Sequence, residues 1–428
     1  MSVASAVTTT TGSAAPHLLA HQAPLALNSG DTAWMIVATA LVLFMTLPGV
    51  ALFYGGMVRK KNLLSTMAQS VAVTVIAAVI WIVIGYSLAF GVGPGQLNGF
   101  IGSFDAALLH GVGLDTAYSA APQLPEYLWI AYQMTFAIIT PALIAGSIVE
   151  RTKFSAYILF MALWSLLVYA PVCHWVWGGG FLGKWGVLDF AGGAVVHVNS
   201  GVAGLVACLV IGKRKGFGRD NMAPHNLGYT LVGASMLLVG WLGFNAGSEW
   251  KADALASVAA LNTIVATMTG AIGWIVPEWI ERKQPTLLGM ISGMVAGLVA
   301  ITPAAGFVNP TGALLIGLIV GPICYVATTY VKNMFKYDDS LDAFGVHAVG
   351  GFFGALLTAV FADPAINAAG KDASLLKQFG GLVAVIGWSA VMTFCILMVC
   401  KYTTGLRVTD EEEIEGLDMS QHGESLHG

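Results

Sequence analysis

Eleven apolar stretches, each near the length needed to cross a bilayer, recur along this 428-residue chain. A helix rises 1.5 Å per residue, so about 20 apolar residues span a hydrocarbon layer roughly 30 Å thick. The stretches run near 33–57, 65–91, 127–149, 154–173, 193–212, 226–246, 256–280, 286–302, 311–331, 342–362 and 379–403. The third carries polar interruptions, and the eighth is short and rich in glycine. Only 10% of the residues are charged, against roughly 25% in soluble domains. The chain is therefore read as an all-α integral membrane protein. Its mild net charge of −4 offers nothing to a nucleic acid.

The basic residues test the count, because they concentrate in cytoplasmic loops. With the N-terminus outside, one side of the membrane receives the clusters at 59–61, 151–153, 213–219, 282–283 and 332–336, together with Lys401 and Arg407. Of the 19 basic residues only Lys184, Lys251, Lys371 and Lys377 remain for the other side. This bias predicts an odd number of spans, N-out and C-in. Residues 1–32 contain no Lys or Arg and few large apolar side chains. They lack the basic region and apolar core of a secretory signal, and are expected to be a disordered extracytoplasmic tail. Residues 33–404 form the transmembrane domain, and 405–428 a cytoplasmic tail whose acidic run, 410–413, is read as a solvated face.

Two histidines inside apolar helices each follow an aspartate by eight residues: His197 after Asp189 in DFAGGAVVHVNSGVAG, and His347 after Asp339 in DSLDAFGVHAVGGFFG. Glycines recur four and seven residues beyond each, at Gly201 and Gly204 and at Gly351 and Gly354. Ionisable side chains inside a membrane are costly and usually functional. His197 falls in the fifth span and His347 in the tenth, which run in opposite directions. The chain thus divides into two inverted five-helix repeats plus one extra helix, with a site expected at the repeat interface. A weaker echo pairs GVALFYGG with GWLGFNAG, matching Gly49, Phe53 and Gly56 with Gly240, Phe244 and Gly247.

Each candidate has a plainer alternative. The histidines could simply glue helices by hydrogen bonds. As a pair of neutral imidazoles they would instead join one donor to one acceptor and leave a ring edge on each side for a small polar solute. No third ligand accompanies them, so a metal site is not expected. Asp189 is either a helix cap or the residue holding the outer end of a pore; for Asp339 and Asp342 capping is the better reading. Trp177, Phe136, Trp241 and Phe244 could belong to an interfacial aromatic belt. Their association with Ser248 suggests a cation–π site, and Phe136 and Phe244 lie too deep for a belt and could close an apolar gate. Pro48, Pro141 and Pro322 interrupt helices as packing features. The five cysteines serve as small hydrophobes. His17, His21, His110, His174, His225, His422 and His427 fall in tails, loops or helix ends and are given no role. No nucleophile–base arrangement suggests an enzyme.

LVLFMTLPGVALFYGGMVRKKN, DFAGGAVVHVN, GWLGFNAGS, DAFGVHAVGG and GLRVTDEEEIEGLD, in this order, resemble signatures of the ammonium transporter/methylammonium permease/Rhesus family, and within it the bacterial ammonium transporters. The resemblance runs from about Asp31 through the C-terminal tail. It implies a homotrimer in the bacterial inner membrane with one pore per subunit and no cofactor. It implies His197 and His347 as the pore's twin histidines and Trp241 as pore lining. Trp177, Phe136 and Ser248 would recruit ammonium, and Phe136 and Phe244 would stack as the gate. Asp189 takes the family's essential aspartate position. Tyr132 stands where relatives often have phenylalanine and could add a hydroxyl contact to recruitment. A PII-type signal-transduction protein is expected to dock on the cytoplasmic face. The alternatives are a sensor acting through such a partner, or a carbon dioxide channel.

Overall fold

A computed structural model describes residues 18–426. The first 17 residues, with His17, and His427 lie outside the described residues. Among the described residues, ten helices are long and apolar enough to cross a membrane: α1 (Ser29–Met57), α2 (Lys60–Phe90), α3 (Glu126–Ile148), α4 (Phe154–Trp185), α5 (Gly193–Ile211), α6 (Leu227–Glu249), α7 (Ala254–Arg282), α9 (Pro310–Phe335), α10 (Phe344–Phe361) and α11 (Leu375–Thr403). Between α7 and α9 lies the shorter apolar helix α8, Leu287–Ile301. The stretch expected at 286–302 is thus a 15-residue helix. Thr302 still has helical dihedrals, but Pro303 has no N–H to continue the helix ladder, and the chain turns through residues 302–307. The turn is not idle: the Pro303 and Thr302 carbonyls accept the N–H groups of Phe190 and Ala191, just before α5.

Start signals agree with the helix ends. Asn28, Asn226, Asp253, Thr286, Asn309 and Ser374 each cap a first turn through a side-chain oxygen, satisfying donors that have no partner within the helix. Pro48 falls in a π-wound turn of α1, while Pro141 and Pro322 sit inside α3 and α9.

α5 and α10 cross with their backbones in contact, and two matched glycines make this possible. A methyl on Gly201 would lie 2.3 Å from the Ala348 nitrogen; one on Gly351 would lie 2.9 Å from the Gly193 oxygen and 3.0 Å from His197 Cβ. Both helices open with a π-wound turn, Gly193–Val198 and Phe344–Ala348, and each turn carries its histidine. Such turns are rare and favour functional sites. α1 and α6, the partners in the weaker echo, also pack together.

The expected N-terminal tail is shorter than 1–32. Gln22–Pro24 pairs antiparallel with Thr116–Tyr118, and helix α1 begins at Ser29. The anchor is Glu126, a buried carboxylate that bonds to His21 Nε2 (3.1 Å), Gln22 Nε2 (2.7 Å) and the Tyr86 hydroxyl (2.7 Å). His21 is therefore a structural residue. So is His174, buried with Nδ1 and Nε2 each 2.9 Å from a carbonyl, of Ala89 and Asn98.

At the opposite face the C-terminal tail is folded against the membrane domain. Its short helices α12 (Asp410–Glu415) and α13 (Leu417–His422) begin at Thr409, which forms a capping box with Glu412. Asp410 and Glu411 are exposed as expected, but Glu413 is buried, bonded to Arg407 at 2.7 Å and to the Lys215 N–H at 2.6 Å. Ser65 N donates to Asp418, and Leu417 N to Asn62. Beside it, Arg214 bridges Glu150 and Asp338, both contacts at 2.8 Å.

Burial pushes the Asp338 carboxyl up, but the hydrogen bonds of Arg214 and the charges of Arg151 and Arg214 outweigh it and hold it below the usual carboxylate range. Glu150 behaves likewise: burial raises it, and the charges of Arg214 and Arg59 bring it lower still. A carboxyl depressed in the folded chain stabilises above its unfolded pKa, near 4, and loses that contribution as pH falls through the folded value. Asp338→Asn is therefore expected to cost up to about 3 kcal/mol at pH 7 and to flatten the loss of stability between about pH 5 and pH 3. Thermal unfolding in detergent across that range measures both; a wild-type midpoint and acid profile would mean the Arg214 pair contributes nothing.

Candidate functional site

Asp189 organises the site. Its Oδ1 accepts from Gly192 N (2.9 Å) and Gly193 N (2.5 Å), and its Oδ2 from Ala194 N (2.9 Å) and Val195 N (3.0 Å). Gly192, at φ 120°, bends the chain so that these N–H groups converge. An ionised carboxylate has about four acceptor positions, and the helix start uses them all. Asp189 is thus a cap, as one of the two sequence readings held, with no lone pair left for a solute. Its backbone carbonyl accepts the Trp177 indole N–H at 2.9 Å, so one residue sets both the start of α5 and the direction of Trp177. Asp339 caps α10 more sparsely, accepting one backbone N–H, from Phe344 N at 2.8 Å.

Three cavities lie in series. The first, about 320 Å³, opens on the face opposite the tail and is lined by Trp177, Phe136, Ser248, Gln133 and Glu249 among others. Trp177 stands perpendicular to Phe136 at 5.7 Å between ring centroids, and Phe136 stacks on Phe244 at 4.3 Å. That stack separates the first cavity from the second. Ser248 Oγ donates to the Phe244 carbonyl at 2.8 Å, which leaves its lone pairs free to accept. Tyr132 does not line the cavity, contrary to the expectation that its hydroxyl contributes to recruitment. It is fully buried behind Ser248, with its hydroxyl 3.0 Å from the Phe244 carbonyl, 3.1 Å from that of Gly243 and 3.3 Å from Ser248 Oγ.

The second cavity holds only about 10 Å³, and its walls are apolar apart from His197, His347 and the polar edges of Tyr54 and Trp241. That is room on the order of one water-sized molecule. The histidines meet through their Nδ1 atoms at 3.3 Å, with rings nearly parallel at 16°. One Nδ1 must carry a proton and the other must not, so the two rings hold opposite tautomers. His197 Nε2 is buried without a hydrogen-bond partner among the described residues. Trp241 stacks on His197 at 5.2 Å and is fixed by its indole N–H on Thr302 Oγ1 at 2.8 Å. The turn after α8 thus reaches the second cavity through Thr302. The third cavity, about 50 Å³, continues toward the tail face past Phe53, Tyr54, Leu341 and Asp342, with His347 bordering both.

The structure gathers Trp177, Phe136, Ser248, Phe244, Trp241, His197 and His347 along one path. Thr302, Gln133 and Glu249 were missed by sequence reasoning. Gln133 is one of the polar interruptions of the third apolar stretch, and Glu249 follows Ser248 directly; both signals were present. Thr302 had none, because its role arises where α8 stops.

Asp189→Asn keeps one oxygen and turns an amide group toward two of the four N–H donors. The expected cost is at least about 2 kcal/mol, since each unsatisfied buried donor costs roughly 1–3 kcal/mol. Thermal unfolding in detergent measures it; wild-type stability would show the cap to be dispensable.

Residues 33–426 match the model of the Ammonium Transporter Family. An ammonium transporter of Aquifex aeolicus is 49% identical over 410 residues, covering 94% of each chain. The crystal structure of Saccharomyces cerevisiae Mep2 superposes with a TM-score of 0.83 at 33% identity, over 90% of this chain and 89% of that one. A solved sensor Amt protein superposes with a TM-score of 0.84 at 28% identity, over 92% and 98%.

Proposed function

The chain belongs to the ammonium transporter family, and on that premise we propose that it captures ammonium at the Trp177 cavity, removes a proton there, and conducts ammonia past His197 and His347. One observation carries the reading: the histidine chamber holds only about 10 Å³ behind the Phe136–Phe244 stack. Moving an unshielded ion of ammonium's size into low dielectric costs on the order of 20 kcal/mol before relaxation. Removing a proton from an amine that titrates one to three units above neutrality costs roughly 1–4 kcal/mol. A chamber of this size excludes a hydrated cation and admits a neutral molecule the size of water. Potassium ion has no proton to lose, so the same chamber discriminates without a cage of carbonyls.

In this reading Trp177 and Phe136 attract the cation through their ring faces, and Ser248 accepts one of its N–H groups. The Phe136–Phe244 stack parts to pass the neutral species. The opposite tautomers of His197 and His347 offer it both a donor and an acceptor, and the pair can relay the released proton. The Trp177 cavity faces outward across the bacterial inner membrane and the tail faces the cytoplasm, supported by the clustering of basic residues near the tail. The family resemblance supports a homotrimer, each subunit with its own pore. A second reading, a sensor acting through a PII-type protein on the tail face, is favoured by the similarity to the sensor Amt protein.

His197→Ala should abolish ammonium-specific flux or change its selectivity in proteoliposomes; unchanged flux and selectivity would remove the twin-histidine role. Trp177→Leu should raise the half-saturating ammonium concentration by about five- to thirtyfold, the equivalent of roughly 1–2 kcal/mol of cation–π attraction. The same half-saturation at low ammonium would dismiss aromatic capture.

A further inference from the structure

We propose that Glu249, assisted by Gln133, is the charged acceptor of the Trp177 cavity and sets its affinity for the cation. The proposal rests on the capture reading above and adds the residues that would satisfy the ion's charge and its N–H groups. Four N–H groups need more than one hydroxyl, and two flat rings offer no lone pairs in their planes. Asp189 also lines this cavity, but its carboxylate is taken up by four backbone donors.

Glu249 lines the same cavity directly after Ser248, and it makes no hydrogen bond or salt bridge among the described residues. Burial acts on its carboxyl most, then the charges of Asp253 and Lys251, and Lys251 also lines the cavity. Gln133 is the second, independent sign of a ligand. It is only 4% exposed, lines the cavity, and its Oε1 is buried with no hydrogen-bond partner among the described residues. A buried amide oxygen without a partner is costly unless something else supplies a donor.

The backbone holds Glu249 at the cavity mouth. Trp250, the next residue, adopts φ 62°, a left-handed conformation that a bulky residue takes only when its surroundings impose it. Those surroundings are present: the Trp250 carbonyl accepts from Gln123, its ring packs edge-on against Trp129 at 4.6 Å, and the Ala252 N–H donates to Asp31. The carboxylate is therefore presented by a pinned turn.

The test is ammonium uptake by proteoliposomes at two ionic strengths, about 0.01 and 0.15 M, where charge acts over roughly 30 and 8 Å. Glu249→Gln, nearly isosteric, is expected to raise the half-saturating ammonium concentration about five- to tenfold at low ionic strength, more than it alters the maximal rate, with the gap shrinking at the higher. Lys251→Gln should move it the opposite way, about two- to threefold at low ionic strength. Gln133→Leu should raise it by about threefold at both, because an amide carries no net charge. A purely structural role for Glu249 would give a change independent of salt, and that result, or no change, overturns the proposal. If Trp177→Leu raises half-saturation while Glu249→Gln does not, only this inference fails. If neither does, the capture reading fails with it.

Discussion

Four backbone N–H groups at the start of α5 have no partner within the helix, and Asp189 takes all of them. Much of the series of cavities depends on that arrangement. A helix end inside an apolar body cannot turn to water for its unpaired donors, so the carboxylate makes the position of α5 possible. The cap fixes the π-wound turn that carries His197 and the carbonyl that aims Trp177. Outer cavity and histidine chamber are thus tied to one residue, which lines the outer cavity while its carboxylate is taken up by the backbone. On the other side Asp339 begins α10 with a single backbone N–H.

The three cavities narrow from about 320 Å³ to about 10 Å³ and widen again to about 50 Å³. Chemistry changes with size. The wide end offers ring faces, a hydroxyl, an amide and a carboxylate; the narrow point offers two imidazoles in an apolar wall. A charged and hydrated solute suits only the wide end, and a small neutral one suits the middle. The boundary between the regimes is a pair of phenyl rings stacked at 4.3 Å.

The legible part of this architecture was the part governed by regular periods. Long apolar runs gave most of the helices within a few residues, α4 running on to Trp185, and the matched Asp–His–Gly spacing identified α5 and α10 as the helices that meet. Tertiary context decided what the sequence left dark. His21 and Glu126 are 105 residues apart, and neither signals the other. His174 looks like a helix-end residue near water until the loop carbonyls of Ala89 and Asn98 close over it. Glu413 belongs to an acidic run that reads as solvated, yet Arg407 and the Lys215 N–H bury it. Tyr132 sits one helical turn before Phe136, but its hydroxyl turns to the C-terminal carbonyls of α6 and away from the cavity. In each case a polar group found a distant partner that local pattern cannot specify.

The crossing of α5 and α10 at Gly201 and Gly351 has one more consequence. Where helices meet through side chains, a rotamer change can open or close the gap between them. Here Gly201 meets the Ala348 backbone, and Gly351 meets the Gly193 carbonyl and His197 Cβ. Apart from Val198 Cγ2, 3.1 Å from the Gly351 position, the nearest atoms in the joint are main chain and Cβ, which cannot swing aside. The spacing of the two helices that carry the imidazoles is therefore gauged mainly by main chain, and is set when the protein folds.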